Sequence, residues 1–123
     1  MNKIIGAMFL VAFLFIAACS SSQYPQERVD ALANCLADKG VKEYGAFWCP
    51  NCAEQKKMFG KSYEIIMSRD VYIECDPRGE KEQAELCLEK NIEKYPTWEF
   101  PSGEVVVGVT SFEELAQKAG CSW

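Results

Sequence analysis

Tyr44-Gly45-Ala46-Phe47-Trp48-Cys49-Pro50-Asn51-Cys52 joins an apolar run of strand character to a stretch with helical spacing. Two cysteines separated by two residues on the first turn of a helix can close a small disulfide and open it again. The unpaired N–H groups at a helix amino end stabilise a thiolate on the first of them. Pro50 suits the first helical position, where its missing N–H would have no partner in any case. Cys49 is therefore the expected nucleophile, because the thiolate is the attacking form. Cys52, one turn inward, is the expected resolving thiol. The pattern also admits a static disulfide or half of a metal site. Zinc normally takes four ligands, yet the chain has no histidine and no second Cys-x-x-Cys. No metal is expected.

Outward from this stretch, the chain reads as alternating helices and strands. Val29, Leu32, Ala33 and Leu36 recur at helical spacing, and Gly40 is a C-terminal stop. Val41 to Trp48 reads as the first strand. Pro50 to about Met67 reads as a helix bent or interrupted at Gly60, where helix propensity fails. Val71 to Cys75 is a second strand, and Glu80 to Asn91 a helix with Ala84, Cys87 and Leu88 inward. Thr97 to Phe100 and Glu104 to Val109 form a hairpin about Pro101-Ser102-Gly103. Ser111 and Glu114 make a capping box for a last helix with Phe112, Leu115 and Ala119 inward, closed by Gly120. The order α-β-α-β-α-β-β-α implies a mixed sheet covered on both faces.

The 123 residues have room for one domain. Lys3, the apolar run Ile4 to Ile16, and the small pair Ala17-Ala18 have the layout of an export signal over residues 1–18, too short for a comfortable span. Ile16-Ala17-Ala18-Cys19 also resembles a bacterial lipobox, in which Cys19 is lipidated; an ordinary cleaved signal and a retained anchor helix are the alternatives. Residues 19–27 would be the lipidated cysteine and a polar tether, and 28–123 the domain. Ser20 to Glu27 would reach at most about 30 Å when extended. Of seven cysteines, lipidation of Cys19 leaves six, enough for three pairs in an exported domain. The net charge of −5, one unit more negative without Lys3, argues against nucleic-acid binding.

The order of elements, with Trp-Cys-x-x-Cys at the first strand–helix junction, resembles the thioredoxin fold without its first strand. The chain is more similar still to the thioredoxin-like domain fused to bacterial vitamin K epoxide reductase homologues. Tyr44 to Cys52, Gln55-Lys56, Phe59-Gly60, Tyr72-Ile73-Glu74-Cys75, Tyr95-Pro96-Thr97-Trp98-Glu99, Gly108, Ser111 and Glu114-Leu115-Ala116 carry the likeness, over roughly residues 31–121. It implies an α/β, three-layer thioredoxin-like fold with a four-stranded mixed sheet and helices on both faces. It also implies electron exchange between secreted protein thiols or disulfides and a membrane oxidoreductase resembling vitamin K epoxide reductase.

The resemblance further assigns residues. Pro96 matches the cis-proline that faces the active-site disulfide, so the Tyr95 backbone would meet the substrate chain, beside Trp48, Pro50 and Asn51. Glu43 stands where related oxidoreductases carry a buried acid, a possible proton shuttle for Cys52, although a strand glutamate is more often solvated. Cys75 and Cys87 match a second cysteine pair, as a staple or an electron relay. Cys35 and Cys121 then remain, and their pairing is one choice among 15 connectivities. Asn51 carries no charge, unlike the histidine of strongly oxidising CPHC sites, which implies a less acidic Cys49. The expectation is a monomeric, lipid-anchored, extracytoplasmic thiol–disulfide oxidoreductase that needs no cofactor and oxidises secreted proteins. A membrane-fed reductase or isomerase, and a non-catalytic binding module with structural disulfides, are its rivals.

Overall fold

The computed structural model describes residues 23–123; the expected signal segment at 1–18 and Cys19 lie outside the described residues. Helix α1 covers Gln26–Lys39, strand β1 Lys42–Gly45, helix α2 Pro50–Phe59 and helix α3 Tyr63–Ser68. Strand β2 (Tyr72–Glu74), helix α4 (Ala84–Glu89), the hairpin β3 (Thr97–Glu99) and β4 (Val105–Val107), and helix α5 (Phe112–Ala119) follow.

The sheet order is β2-β1-β3-β4. β1 pairs in parallel with β2, and antiparallel with β3, with Glu43 opposite Trp98. β4 returns antiparallel beside β3. Alternation along β1 sends Glu43 and Gly45 to one face and Tyr44 to the other. The first face carries the main core, where Val29, Leu32 and Leu36 of α1, Phe59, Ile66, Trp98, Phe112 and Leu115 are buried together. Each such side chain contributes on the order of 1.5–3 kcal/mol by leaving water. A smaller cluster of Tyr44, Ile73, Cys75 and Cys87 lies under α4 on the second face. This is the thioredoxin-like fold without its first strand, a mixed four-stranded sheet between helices.

Local chemistry sets the helix ends. Gly40 and Gly120 close α1 and α5 in left-handed conformation, and the Ser111 hydroxyl accepts the Glu114 N–H at the start of α5. Gly60, at φ 55°, ends α2, and a single 3₁₀ turn over Gly60–Ser62 precedes α3.

Three expectations need correction. The helix foreseen over Glu80 to Asn91 shrinks to Ala84–Glu89, because Lys81 takes a positive φ and the Gln83 N–H is drawn to the Glu74 carbonyl at 2.8 Å. Leu88, expected inward, is 76% exposed, while Leu86 packs on the small cluster instead. The tether foreseen to Glu27 is already docked at Tyr24. That ring lies 4.9 Å from Trp123 and 5.8 Å from Phe112, and its hydroxyl donates to Glu113 at 2.8 Å.

Candidate active site

Residues Ala46 to Trp48 leave the sheet in a turn closed by the Cys49 N–H on the Ala46 carbonyl, at 3.0 Å. That turn delivers Cys49 to the N-cap of α2, with Pro50 at the next position. The Cys52 N–H donates to the Cys49 sulfur at 3.2 Å. A sulfur in this place sits among the unpaired donors of the first turn, where negative charge is favoured. Cys49 and Cys52 are both buried, and neither forms a disulfide among the described residues. The Cys49 thiol in turn reaches the Tyr95 carbonyl, 3.6 Å away.

Tyr95 and Pro96 are joined by a cis peptide. The Gly108 N–H donates to the Pro96 carbonyl at 2.7 Å, which fastens this loop to the end of β4. Trp48 stands edge-on to the Tyr95 ring at 6.1 Å, and its indole N–H donates to Asp76 at 2.7 Å. Hydrogen bonds from Arg78 and from Trp48 hold the Asp76 carboxyl well below the usual carboxylate range. Phe47 and Trp48 remain 61% and 54% exposed, an apolar rim beside the sulfur. Asn51 and Pro50 are also exposed. Cys49, Cys52, Trp48, Tyr95 and Pro96 thus come together at one end of the sheet.

Glu43 is fully buried on the inward face of β1. Its Oε2 accepts the Tyr63 hydroxyl at 3.1 Å, whereas its Oε1 has no hydrogen-bond partner among the described residues. Burial pushes its carboxyl up to about 8, against the pull of the Tyr63 hydrogen bond. Burial also pushes the Cys52 thiol far up, reinforced by its hydrogen bond with Cys49 and by the charges of Cys49 and Glu43. An acid held near neutrality therefore lies within electrostatic reach of a thiol that resists ionisation.

The other cysteines among the described residues are bonded away from this site. Cys35 joins Cys121, tying α1 to the C-terminal end, and Cys75 joins Cys87, tying the end of β2 to α4.

Several residues that shape the site had no role in the sequence reading. Gly45 passes Cys52 and Tyr72 so closely that a Cβ there would fall 3.0 Å from the Cys52 sulfur and 2.8 Å from the Tyr72 ring. Gln55 is fully buried; it accepts from the Trp98 indole at 3.2 Å and the Thr110 N–H at 2.7 Å, and donates to the Thr110 carbonyl at 3.1 Å. Its signal was present: Cys52, Gln55 and Phe59 follow the inward spacing of a helix, and a polar residue on that stripe needs buried partners. Tyr63 had no comparable signal, since an inward tyrosine reads as ordinary core. A cleft of about 510 Å³ opens beside the site, lined among others by Cys52, Lys56, Tyr63, Tyr72 and Arg78.

The chain is similar to the thiol-disulfide oxidoreductase LTO1 of Arabidopsis thaliana, with 39% identity over 111 residues. The match takes in 88% of this chain and 28% of the relative, so the chain spans under a third of that protein's length. No protein-family model matches the chain.

Proposed function

We propose that this chain is a thiol–disulfide oxidoreductase that works through Cys49 and Cys52. The observation that carries the reading is the Cys49 sulfur itself. It sits at a helix amino end, receives the Cys52 N–H at 3.2 Å, and faces the Tyr95 carbonyl at 3.6 Å. The similarity to a protein named for this activity supports the same reading.

In the oxidising direction, a substrate thiolate attacks Cys49 of the Cys49–Cys52 disulfide, and Cys52 leaves as a thiolate. Glu43, neutral below about 8, gives that sulfur a proton. A second substrate thiolate then attacks the substrate sulfur of the mixed disulfide and releases Cys49. The substrate pair becomes a disulfide and the enzyme pair becomes two thiols. In the reducing direction the same steps run backward, and Glu43 as carboxylate takes the proton from Cys52. The exposed Phe47 and Trp48 give an unfolded chain an apolar landing surface, and the Tyr95 backbone gives it a partner for strand-like pairing.

The favoured physiological reading is oxidation of secreted protein thiols outside the cytoplasm. The domain would be held to a membrane through a lipid on Cys19 and reoxidised by a membrane oxidoreductase resembling vitamin K epoxide reductase. The signal-like segment and the cysteine content support this placement. Insulin reduction by the purified protein tests the chemistry: activity should vanish in Cys49→Ser, and activity surviving that change would refute it. Alkylation of growing cells tests the direction. A largely oxidised Cys49–Cys52 pair supports the oxidant, and a largely reduced pair supports the reductase or isomerase.

A further inference from the structure

Glu43 presents two unlike oxygens in the interior: Oε2 is held by the Tyr63 hydroxyl, and Oε1 is bare among the described residues. A carboxyl that rotated freely would alternate them, and neither would stay aimed at a neighbouring thiol. Tyr63 prevents this. Its ring is fixed by Phe59, with centroids 6.0 Å apart, and by Tyr72 at 6.3 Å. A fixed ring fixes the hydroxyl, and the hydroxyl fixes the carboxyl.

We propose that Tyr63 is a positioning residue for the proton step, holding Glu43 by Oε2 so that the bare Oε1 exchanges the proton of Cys52. The inference rests on the reading of Glu43 as the proton partner of Cys52. Titratable groups within electrostatic reach of the carboxyl are Cys52 from α2, Tyr63 from α3 and Tyr72 from β2, and the Lys56 ammonium stands 5.7 Å from the Tyr63 ring. Tyr63 and Cys52 also line the same cleft.

The hydroxyl has a second consequence. Its donation favours the charged carboxylate and so opposes the effect of burial. Tyr63 thereby keeps Glu43 able to ionise within the working pH range.

The test is a single turnover of the reduced protein with dithionitrobenzoate, an aromatic disulfide whose released thiolate is yellow. Cys49 attacks first, forming a mixed disulfide and releasing one aryl thiolate. Cys52 then passes its proton to Glu43 and attacks the Cys49 sulfur. The Cys49–Cys52 bond forms, the bond from Cys49 to the aryl sulfur breaks, and the second aryl thiolate leaves with the electron pair. The rate of this second release should rise with pH as Glu43 ionises.

Glu43→Gln should abolish that rise and slow the second release on the order of a hundredfold. Tyr63→Phe keeps the ring but loses the hydroxyl. It should move the rise upward by about one pH unit, the order expected for one charge-assisted hydrogen bond, with the first release unchanged. In the Glu43→Gln background, Tyr63→Phe should add nothing. An unmoved rise in Tyr63→Phe, or an equal slowing in both backgrounds, overturns the role of Tyr63 alone. An unchanged profile in Glu43→Gln overturns the Glu43 reading and the Tyr63 inference with it.

Discussion

Gly45 and Cys52 approach each other so closely that a Cβ on the glycine would sit 3.0 Å from the cysteine sulfur, and 2.8 Å from the Tyr72 ring. Glycine here leaves room for the inner thiol to lie against β1, on the face it shares with Glu43. Gly45→Ala should therefore destabilise the protein by about 1–3 kcal/mol, as overpacking does. It should also slow the second release in single-turnover thiol exchange more than the first. Urea unfolding and the two release rates check the two effects separately.

Gln55 ties α2 to the hairpin and to the loop before α5 through the Trp98 indole and both backbone groups of Thr110. Gln55→Leu keeps most of the volume but strands those buried partners. A loss of about 2–4 kcal/mol follows, because each unsatisfied buried group costs roughly 1–3 kcal/mol. The urea midpoint should fall accordingly. A midpoint within experimental error of wild type would mean that these hydrogen bonds contribute little.

Glu43 gives stability a definite dependence on pH. Its folded pKa of about 8 lies above the ordinary 4.5, so the folded state holds the proton more tightly than the unfolded one. Its contribution is complete below 4.5, falls as pH rises, and is exhausted once pH exceeds about 8. Glu43→Gln should flatten this decline and be the more stable protein at the alkaline end. Denaturant midpoints taken across that window, for both proteins, check the sign.

The two disulfides should differ in what they contribute. Cys35–Cys121 spans 86 positions and Cys75–Cys87 spans 12. Loop-closure entropy then assigns roughly 4–5 kcal/mol to the first and about 3 kcal/mol to the second. Replacing Cys35 and Cys121 by serine should lower the thermal midpoint further than replacing Cys75 and Cys87. The reverse order would show that the short bridge, under α4 and its small cluster, matters for more than chain entropy.

How far the sequence foretold these features varied with the physics of each element. Helices bounded by Gly40, Gly60 and Gly120 were legible because the signal is local: a glycine at positive φ stops a helix wherever the chain goes next. The sheet was legible from the alternation of elements together with the hairpin at Pro101-Ser102-Gly103. The helix around Cys87 was misjudged because its length depends on the distant Glu74 carbonyl capturing the Gln83 N–H. Tyr24 was read as tether because its partners, Phe112 and Trp123, lie at the far end of the chain.

Cys49 and Cys52 announced themselves through spacing, and Glu43 through a resemblance. What the sequence withheld was the inner architecture that prepares them: the bare Oε1, the Tyr63 hydroxyl, and the space that Gly45 leaves. These are contacts between segments with no shared periodicity. Only the folded arrangement brings them together.

Division of labour between the two cysteines is tested most directly by capture of mixed disulfides in cells expressing the full chain. With Cys52→Ser, the nucleophile can still attack but nothing completes the exchange. Partner proteins should then accumulate as adducts joined through Cys49, separable from it by a reducing agent. Cys49→Ser, and the double variant, should yield none. Adducts formed equally well through Cys52 in the Cys49→Ser variant, or no adducts from Cys52→Ser, would contradict the account at its centre.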